Sequence, residues 1–293
     1  MKKILVTGAN GFLGKKICKI FAQKGFEVIR TDNFAQSNQL ALDATKKEKV
    51  SELIKAQKPF AVIHCAAITD VDWCEENRGK TFEVNVVGTE NVSIACRETG
   101  AKMVFISTDY VFDGKKSSKY KETDKPNPLS IYAESKLEAE KIVEKETDDF
   151  LILRTSSIYG FNDKSDKQTF PKFVIENLSK GKEITCFTDQ SSNPALTDDV
   201  ALALAALLEK KQKGIFHATG LENLTRLEFA KKTAKAFGLD QSLIKPGTWA
   251  QAGHKAMRPK KLNMDISKLN SLGINMSDAM HGLLKMKAQM QVN

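Results

Sequence analysis

The chain has 293 residues, 41% of them hydrophobic, which suits one large α/β domain or two smaller ones with a substantial core. The net charge of +9 comes mainly from lysines interleaved with acidic residues, and no basic run alternates with aromatic residues, so we expect no nucleic-acid partner. No apolar run approaches the roughly 20 residues of a membrane-spanning helix. Five cysteines without paired spacing favour a reducing, cytoplasmic setting, and four scattered histidines predict no metal site.

The first predicted elements are a strand, a glycine turn and a helix. Lys3–Thr7 has three consecutive apolar residues, the pattern of a strand buried on both faces. Glycines follow at three-residue spacing, and apolar residues then recur at helical spacing. Such a turn brings backbone amides and the positive end of a helix to a pyrophosphate, although an ordinary tight turn can carry the same glycines. The residues predicted to bind a dinucleotide cofactor here are Gly8, Asn10, Gly11, Phe12, Leu13 and Gly14.

The second predicted strand, residues 26–31, ends at Asp32. Dinucleotide sites place an acidic residue about 20 positions after the glycines, where it accepts hydrogen bonds from the adenosine ribose. A simple turn role for Asp32 is the alternative. Asp32 would repel a 2′-phosphate and favours NAD, whereas Arg30 could pair with that phosphate and favours NADP. The expected cofactor is therefore NAD or NADP, with NAD slightly favoured.

The next segment adds three residues to the predicted cofactor site. Asp43 precedes a lysine-rich amphipathic helix that reaches about residue 56, and a third strand covers residues 60–65. Ala66 and Ala67 follow that strand, and small residues suit a strand end over which a flat cofactor passes. A packed turn would explain the two alanines equally well. We expect Asp43, Ala66 and Ala67 to contact the cofactor.

Strands and helices continue to alternate as far as residue 160. A helix is predicted at 81–97, a strand at 102–107, a helix at 131–146 and a strand at 150–155. This alternation predicts an α/β fold with a doubly wound parallel (Rossmann) sheet and ligands at the carboxyl ends of its strands. Beyond residue 160 the pattern becomes mainly helical. We therefore predict a cofactor-binding domain over 1–160 and a smaller substrate lobe over 161–293, interleaved with late sheet elements.

The candidate catalytic residues follow the fourth strand. Thr108 lies at the end of that strand, and Tyr132 and Lys136 share one face of the following helix. A nearby ammonium lowers the pKa of a phenol, which would make Tyr132 an acid–base group while leaving Lys136 able to hold a cofactor ribose. The Thr108 hydroxyl could bond the same substrate oxygen. The alternative is a half-buried tyrosine that packs over a lysine stem.

These motifs together resemble those of extended short-chain dehydrogenases/reductases over nearly the whole chain. The matching residues are Gly8-x-x-Gly11-x-x-Gly14, Asn85-Val86-x-Gly88-Thr89, Ser107-Thr108-Asp109 and Tyr132-x-x-x-Lys136. Within this superfamily the chain is similar to the dTDP-4-dehydrorhamnose reductase branch. The residues that carry the closer similarity are the run from Ser107 to Gly114, Asn127-Pro128, Asp189-Gln190 and Arg258-Pro259 before Leu262.

The resemblance implies an NAD(P)H-dependent reductase that delivers a hydride to a nucleoside-diphosphate 4-keto sugar. It implies Thr108, Tyr132 and Lys136 as the catalytic trio and a C-terminal substrate lobe. The residues expected to contact the nucleotide-sugar substrate are Thr108, Asp109, Ser157 and Arg258. Ser157 departs from the branch, which usually has a tryptophan at this place near the sugar. The pocket therefore lacks a large apolar surface, and the particular sugar stays open.

Two other functions fit the same motifs. The first is a sugar-nucleotide epimerase; dehydratases of the superfamily are disfavoured because they carry a carboxylate at the position of Tyr110. The second is a non-catalytic NAD(P)-binding subunit resembling the regulatory subunit of methionine adenosyltransferase. The presence of Tyr132 and Lys136 argues against the second function, but only weakly. A homodimer is possible, and no membrane partner is expected.

Overall fold

The computed structural model describes residues 1–34, 39–163 and 167–292. Its strands are β1 (Lys3–Thr7), β2 (Glu27–Asp32), β3 (Leu40–Ala41), β4 (Ala61–His64), β5 (Lys102–Thr108), β6 (Phe150–Thr155), β7 (Ile184–Phe187), β8 (Ser191–Ser192), β9 (Gly214–His217), β10 (Leu224–Thr225) and β11 (Ile244–Gly247). Seven of them form one parallel sheet in the order β3-β2-β1-β4-β5-β6-β9. The predicted doubly wound parallel sheet is confirmed.

Helices cover both faces of this sheet. They are α1 (Phe12–Gln23), α2 (Lys47–Gln57), α3 (Val71–Glu76), α4 (Arg78–Phe82), α5 (Gly88–Thr99), α6 (Ile131–Glu146), α7 (Phe170–Leu178), α8 (Thr197–Glu209), α9 (Arg226–Phe237), α10 (Ser267–Asn270) and α11 (Ala279–Val292). Within β1, Ile4 and Val6 pack with α1 and α8, whereas Leu5 packs with α2, α5 and α6 on the opposite face. Both faces of the strand are buried, which explains its continuous apolar run.

The C-terminal part of the chain forms a second group of helices beside the sheet. Its apolar clusters join α7, α9 and α11 around Phe229 and join α7 to β7 and β11 around Ala230. Strand β9, however, lies beyond residue 160 and pairs with β6 in the central sheet. The division at residue 160 stays a prediction. In the described part of the chain, no helix is long and apolar enough to cross a membrane.

Three local differences from the sequence-based elements matter for the site. The long helix predicted at 81–97 is two helices, joined by a π-helical turn at Glu83–Val87. The two-residue strand β3 is too short to leave a periodic pattern, and the sequence did not predict it. Strand β7 does not join the central sheet: it pairs with β11 in a separate two-stranded sheet and packs against α9 rather than the Rossmann core.

Candidate active site

The glycine turn between β1 and α1 is packed too tightly for side chains. Gly8 has a φ of +63°, and a Cβ there would lie 2.7 Å from the backbone nitrogen of Ala66. A Cβ on Gly14 would lie 2.2 Å from the carbonyl oxygen of Gly8. Gly11 is the N-cap of α1, so no side chain bonds the amides of the first turn. Those amides remain available to an anion at the positive end of the helix.

Asp32 is hydrogen-bonded to this turn. Its carboxylate accepts a hydrogen bond of 3.0 Å from the backbone nitrogen of Asn10, so the end of β2 is held against the glycine loop. The Asn10 side chain donates to the carbonyl of Phe34 and accepts a bond of 2.6 Å from Gln39. Asp32 therefore has a structural partner in addition to its predicted ribose contact. Arg30 lies two residues earlier on the same strand, with its Nε buried and unpaired among the described residues.

Asp43, Ala66 and Ala67 are the other residues predicted to contact the cofactor. The Asp43 carboxylate accepts hydrogen bonds from the backbone and hydroxyl of Thr45. Burial acts to raise the pKa of Asp43, but the Thr45 bonds outweigh it and the pKa is lowered. Ala66 lies against Gly8, as the small residue after β4 predicts. Only Ala67 of these three lines the large cavity described next, and the cofactor roles of all three stay predictions.

A cavity of about 590 Å³ runs from the glycine turn across the carboxyl ends of β4, β5 and β6. It is lined at one end by Gly8, Gly11 and Gly14 and near its middle by Thr108, Tyr132 and Lys136. The further predicted residues that line it are Asn10, Phe12, Leu13, Ala67, Asp109 and Ser157. The predicted residues that do not line it are Asp32, Asp43, Ala66 and Arg258.

Tyr132 is half-buried in the first turn of α6 and lines the cavity together with Thr108. Ser130 caps this helix. Burial raises the pKa of Tyr132, and the Thr108 side chain lowers it only in part. The ring of Tyr110 meets that of Tyr132 edge-on, with 6.3 Å between the centroids.

The predicted effect of Lys136 on the pKa of Tyr132 stays a prediction. The Lys136 ammonium lies 3.9 Å from the ring centroid of Phe105. Burial lowers the pKa of Lys136 to about 7, partly opposed by the carboxylate of Glu140. The buried lysine is therefore only partly protonated near neutral pH, which reduces the positive charge available to stabilise a phenolate. Its predicted cofactor contact stays a prediction.

Buried hydrogen bonds hold the elements that carry these residues. Glu140 accepts two hydrogen bonds from Arg154, of 2.9 and 2.6 Å, and one from the hydroxyl of Ser107. Asn85, in the π-helical turn, bonds Ile68 of the loop after β4 and the hydroxyl of Ser135 on α6. π-Helical turns often mark functional sites. Here the side-chain amide of Asn85 in this turn bonds both the loop after β4 and the helix that carries the candidate catalytic pair.

The predicted substrate residues fall into two groups. Asp109 and Ser157 line the cavity; Asp109 accepts bonds from Ser156 and Thr108, and burial raises its pKa to about 6. Ser157 has a φ of +40° and shares a hydrogen bond of 2.9 Å with Ser192. Arg258 instead forms a two-bond pair with Asp72, at 3.0 and 2.9 Å, and its side chain is 12% exposed. Its direct substrate contact stays a prediction.

Sequence reasoning missed Arg226, which lines the cavity beside Tyr110 and Ser157. It is the first residue of α9, and its only sequence signal is the Thr225-x-x-Glu228 capping box. That signal predicts where a helix begins but not what the helix faces. Within the described ranges, no group of three or more metal-ligating side chains could hold an ion.

Comparison with known proteins identifies the family. Residues 1–291 match the family model described as RmlD substrate binding domain. The chain belongs to this family. It is 34% identical over 269 residues to the probable low-salt glycan biosynthesis reductase Agl14 of Haloferax volcanii, covering 90% of each chain. It is 32% identical to methionine adenosyltransferase 2 subunit beta of Danio rerio, covering 94% of this chain and 86% of that one.

A solved structure gives the same family placement. The dTDP-4-dehydrorhamnose reductase of Bacillus anthracis, solved in complex with NADP, superposes with a TM-score of 0.91 at 30% identity. The match covers 99% of this chain and 100% of that chain. The resemblance to the dTDP-4-dehydrorhamnose reductase branch is thereby confirmed at the level of family and fold.

Proposed function

We propose that the protein is an NAD(P)H-dependent reductase of a nucleoside-diphosphate 4-keto sugar. The observation that carries the proposal is the single cavity that joins the glycine turn to Thr108, Tyr132 and Lys136. Reduction of a ketone requires a hydride donor and a proton donor on the same carbonyl. One continuous cavity of this kind supports both requirements.

A nicotinamide dinucleotide fits the residues at the turn. The uncapped first turn of α1 offers amide donors, and Gly8 and Gly14 leave no side chain between the backbone and a pyrophosphate. When bound, this cofactor would supply the hydride. Lys136 would hold the ribose next to the nicotinamide, since its ammonium lies over the ring of Phe105 and forms no hydrogen bond with the described residues.

Tyr132 is proposed to protonate the substrate oxygen. Its raised pKa suits an acid that holds its proton until charge develops on that oxygen. Thr108 would donate a second hydrogen bond to the same atom, since its hydroxyl lies beside the phenol. Lys136 is buried beside the Phe105 ring, and burial lowers its pKa. Binding of an anionic intermediate would raise the pKa of Lys136 and restore its charge.

The substrate class rests on the relatives. Agl14 is named a reductase of glycan biosynthesis, and the B. anthracis protein a reductase of dTDP-4-dehydrorhamnose. Ser157 makes the sugar end of this pocket polar where the branch usually has an indole. We therefore propose a 4-keto sugar nucleotide as the class and leave both the sugar and the base open. Within the same fold an epimerase remains the alternative enzyme.

A second candidate function is a non-catalytic cofactor-binding subunit. The similarity to methionine adenosyltransferase 2 subunit beta covers nearly the whole chain and supports this candidate. A subunit of that kind should retain a partner enzyme from a cell extract and turn over no sugar nucleotide. A reductase should turn over at least one 4-keto sugar nucleotide without a partner. A pull-down combined with a turnover screen separates the two candidates.

The test of the proposed function is a screen of 4-keto sugar nucleotides with NADH and NADPH, followed by nicotinamide absorbance. On the substrate found, Tyr132→Phe should lower kcat by about 10²–10⁴-fold, the usual contribution of a general acid, with little change in cofactor Kd. The control is Tyr120→Phe, which removes a buried hydroxyl bonded to Asp113 outside the cavity. Full activity in Tyr132→Phe would contradict the proposed mechanism.

A further inference from the structure

Arg226 lies at the substrate end of the cavity, on a firmly placed helix start. The Thr225 hydroxyl accepts from the Glu228 backbone, and the Glu228 carboxylate accepts from the Thr225 backbone, so the first turn of α9 is closed on itself. The Arg226 backbone nitrogen also donates to the carbonyl of Gln190. Its side chain therefore projects from a rigid base toward Tyr110 and Ser157.

Four of the six arginines hold a carboxylate partner. These pairs are Arg78 with Glu134, Arg97 with Glu146, Arg154 with Glu140 and Arg258 with Asp72. In the part of the chain that the structure describes, the Arg226 guanidinium forms no ion pair or hydrogen bond. Its face lies 4.8 Å from the ring centroid of Phe170, the first residue of α7. Stacking uses the face of a guanidinium and leaves the N–H donors at its edge available.

Asp109 is buried in the same cavity wall, and the charge of Arg226 acts to lower its pKa against the larger effect of burial. The Asp109 carboxylate accepts from the hydroxyls of Ser156 and Thr108, however, and forms no ion pair with Arg226. A half-buried cation without an ion-pair partner is costly to keep. A bound ligand that carries a negative charge would offset this free-energy cost. Arginine suits phosphate and carboxylate because its fork donates two parallel hydrogen bonds.

We propose that Arg226 binds an anionic group of the sugar-nucleotide substrate. The ligand class in this proposal, a sugar nucleotide, rests on the proposed function. The new element is the residue that binds the anionic group of that ligand. Two sources share the required chemistry, namely the diphosphate common to all sugar nucleotides and a carboxylate on the sugar itself. Tyr110, Ser157 and Ser192 line the same pocket as Arg226, so the anion would meet residues that carry hydroxyl groups.

The experiment measures binding rather than turnover, so that it does not depend on the catalytic proposal. Calorimetry would give the Kd of dTDP, UDP, UDP-glucose and UDP-glucuronate for the wild type, Arg226→Gln and Arg226→Lys. Arg226→Gln should weaken at least one of these ligands by about tenfold or more, and Arg226→Lys should recover part of the loss. Equal weakening of all ligands bound indicates the diphosphate. Weakening confined to UDP-glucuronate indicates a sugar carboxylate.

Arg78→Gln is the matched control. Arg78 is exposed, and its guanidinium also lies 4.8 Å from a phenylalanine ring, that of Phe82, but outside the cavity. This variant should bind every ligand as the wild type does. The proposal is overturned if Arg226→Gln, folded by circular dichroism, binds all four ligands with wild-type affinity, or if the wild type binds none of them. If Arg226→Gln loses binding and the wild type shows no reductase turnover, the proposal for Arg226 is supported and the proposed reductase function is contradicted.

Discussion

The two ends of the cavity are built from different parts of the polypeptide. At the glycine turn the backbone forms the surface, and Gly8 and Gly14 lie so close to their neighbours that no Cβ fits. At the substrate end the surface consists of side chains from separate elements, with Asp109 after β5, Ser157 after β6 and Arg226 at the start of α9. A backbone surface tolerates no change of residue at the glycines, whereas a side-chain surface can change its ligand by substitution.

Gly14→Ala should show the largest effect, because it adds an atom to the backbone-built end. The new Cβ would lie 2.2 Å from the Gly8 carbonyl oxygen, a backbone atom that cannot rotate away. Overpacking costs typically 1–3 kcal/mol, and a clash with backbone belongs at or beyond the upper end of that range, so we expect a loss of more than roughly 3 kcal/mol in unfolding free energy. Chemical denaturation measures the loss, and cofactor titration should show weaker binding.

Gly79→Ala is the control for this change. Gly79 lies inside α4, and a Cβ there would meet no atom within 4 Å. Alanine is favoured over glycine in a helix by up to about 1 kcal/mol, so this variant should be neutral or slightly more stable. If Gly14→Ala behaves like Gly79→Ala, the close contact with Gly8 is not a constraint on the turn.

The same contrast explains what the sequence could predict. The turn, Asp32 and the strand ends lie within short stretches whose spacing follows from strand and helix geometry, so Lys3–Thr7 and the helix after Gly11 were predicted correctly. Tyr132 and Lys136 were placed on one face by their four-residue spacing, and both line the cavity. These are local relations, and the sequence contains them directly.

The substrate end depends on packing between distant segments. Nothing near Arg226 in the sequence indicates that α9 stacks on Phe170 and faces Tyr110. The resemblance implied that Arg258 contacts the substrate, and that contact stays a prediction; the sequence did not reveal that Arg258 donates two hydrogen bonds to Asp72, 186 positions away. The π-helical turn at Glu83–Val87 was missed for the same reason, since its Asn85 bonds Ile68 and Ser135 across elements.

Asp109→Asn should alter the pH dependence of stability at the substrate end. The Asp109 carboxyl has a pKa of about 6 in the folded protein because of burial, and about 4 when unfolded. Between these values the unfolded chain binds fewer protons, so this group lowers the free energy of unfolding as the pH rises. Relative to Asp109→Asn, the wild type should lose up to roughly 3 kcal/mol between pH 4 and pH 7. Urea unfolding at several pH values measures this difference.

Asp72→Asn should change the pH dependence of stability in the opposite direction. Hydrogen bonds from the Arg258 side chain, together with the backbone bond from Ala256 in the segment before Arg258, lower the pKa of Asp72. The stability that this carboxylate contributes is therefore present at neutral pH and lost as the pH falls below 4. The wild type should exceed Asp72→Asn in stability at pH 7, and the difference should shrink on acidification. Equal pH slopes in the two variants would contradict the assignment of a raised pKa to Asp109.

Asp32→Asn should have the smallest effect, and it tests cofactor choice at the glycine-turn end of the cavity. Asparagine can still accept the hydrogen bond from the Asn10 backbone, so the turn should keep its geometry while the negative charge is removed. A hydrogen bond to a charged acceptor is worth roughly 1.5–3 kcal/mol, and a neutral acceptor retains part of that, so NADH affinity should fall by about fivefold. NADPH should gain relative to NADH, because the charge that repels a 2′-phosphate is absent. Arg30→Gln removes the positive charge on the same face of β2 and should weaken NADPH alone. A wild type that prefers NADPH, with no change of preference in Asp32→Asn, would move the control of cofactor choice from Asp32 to Arg30.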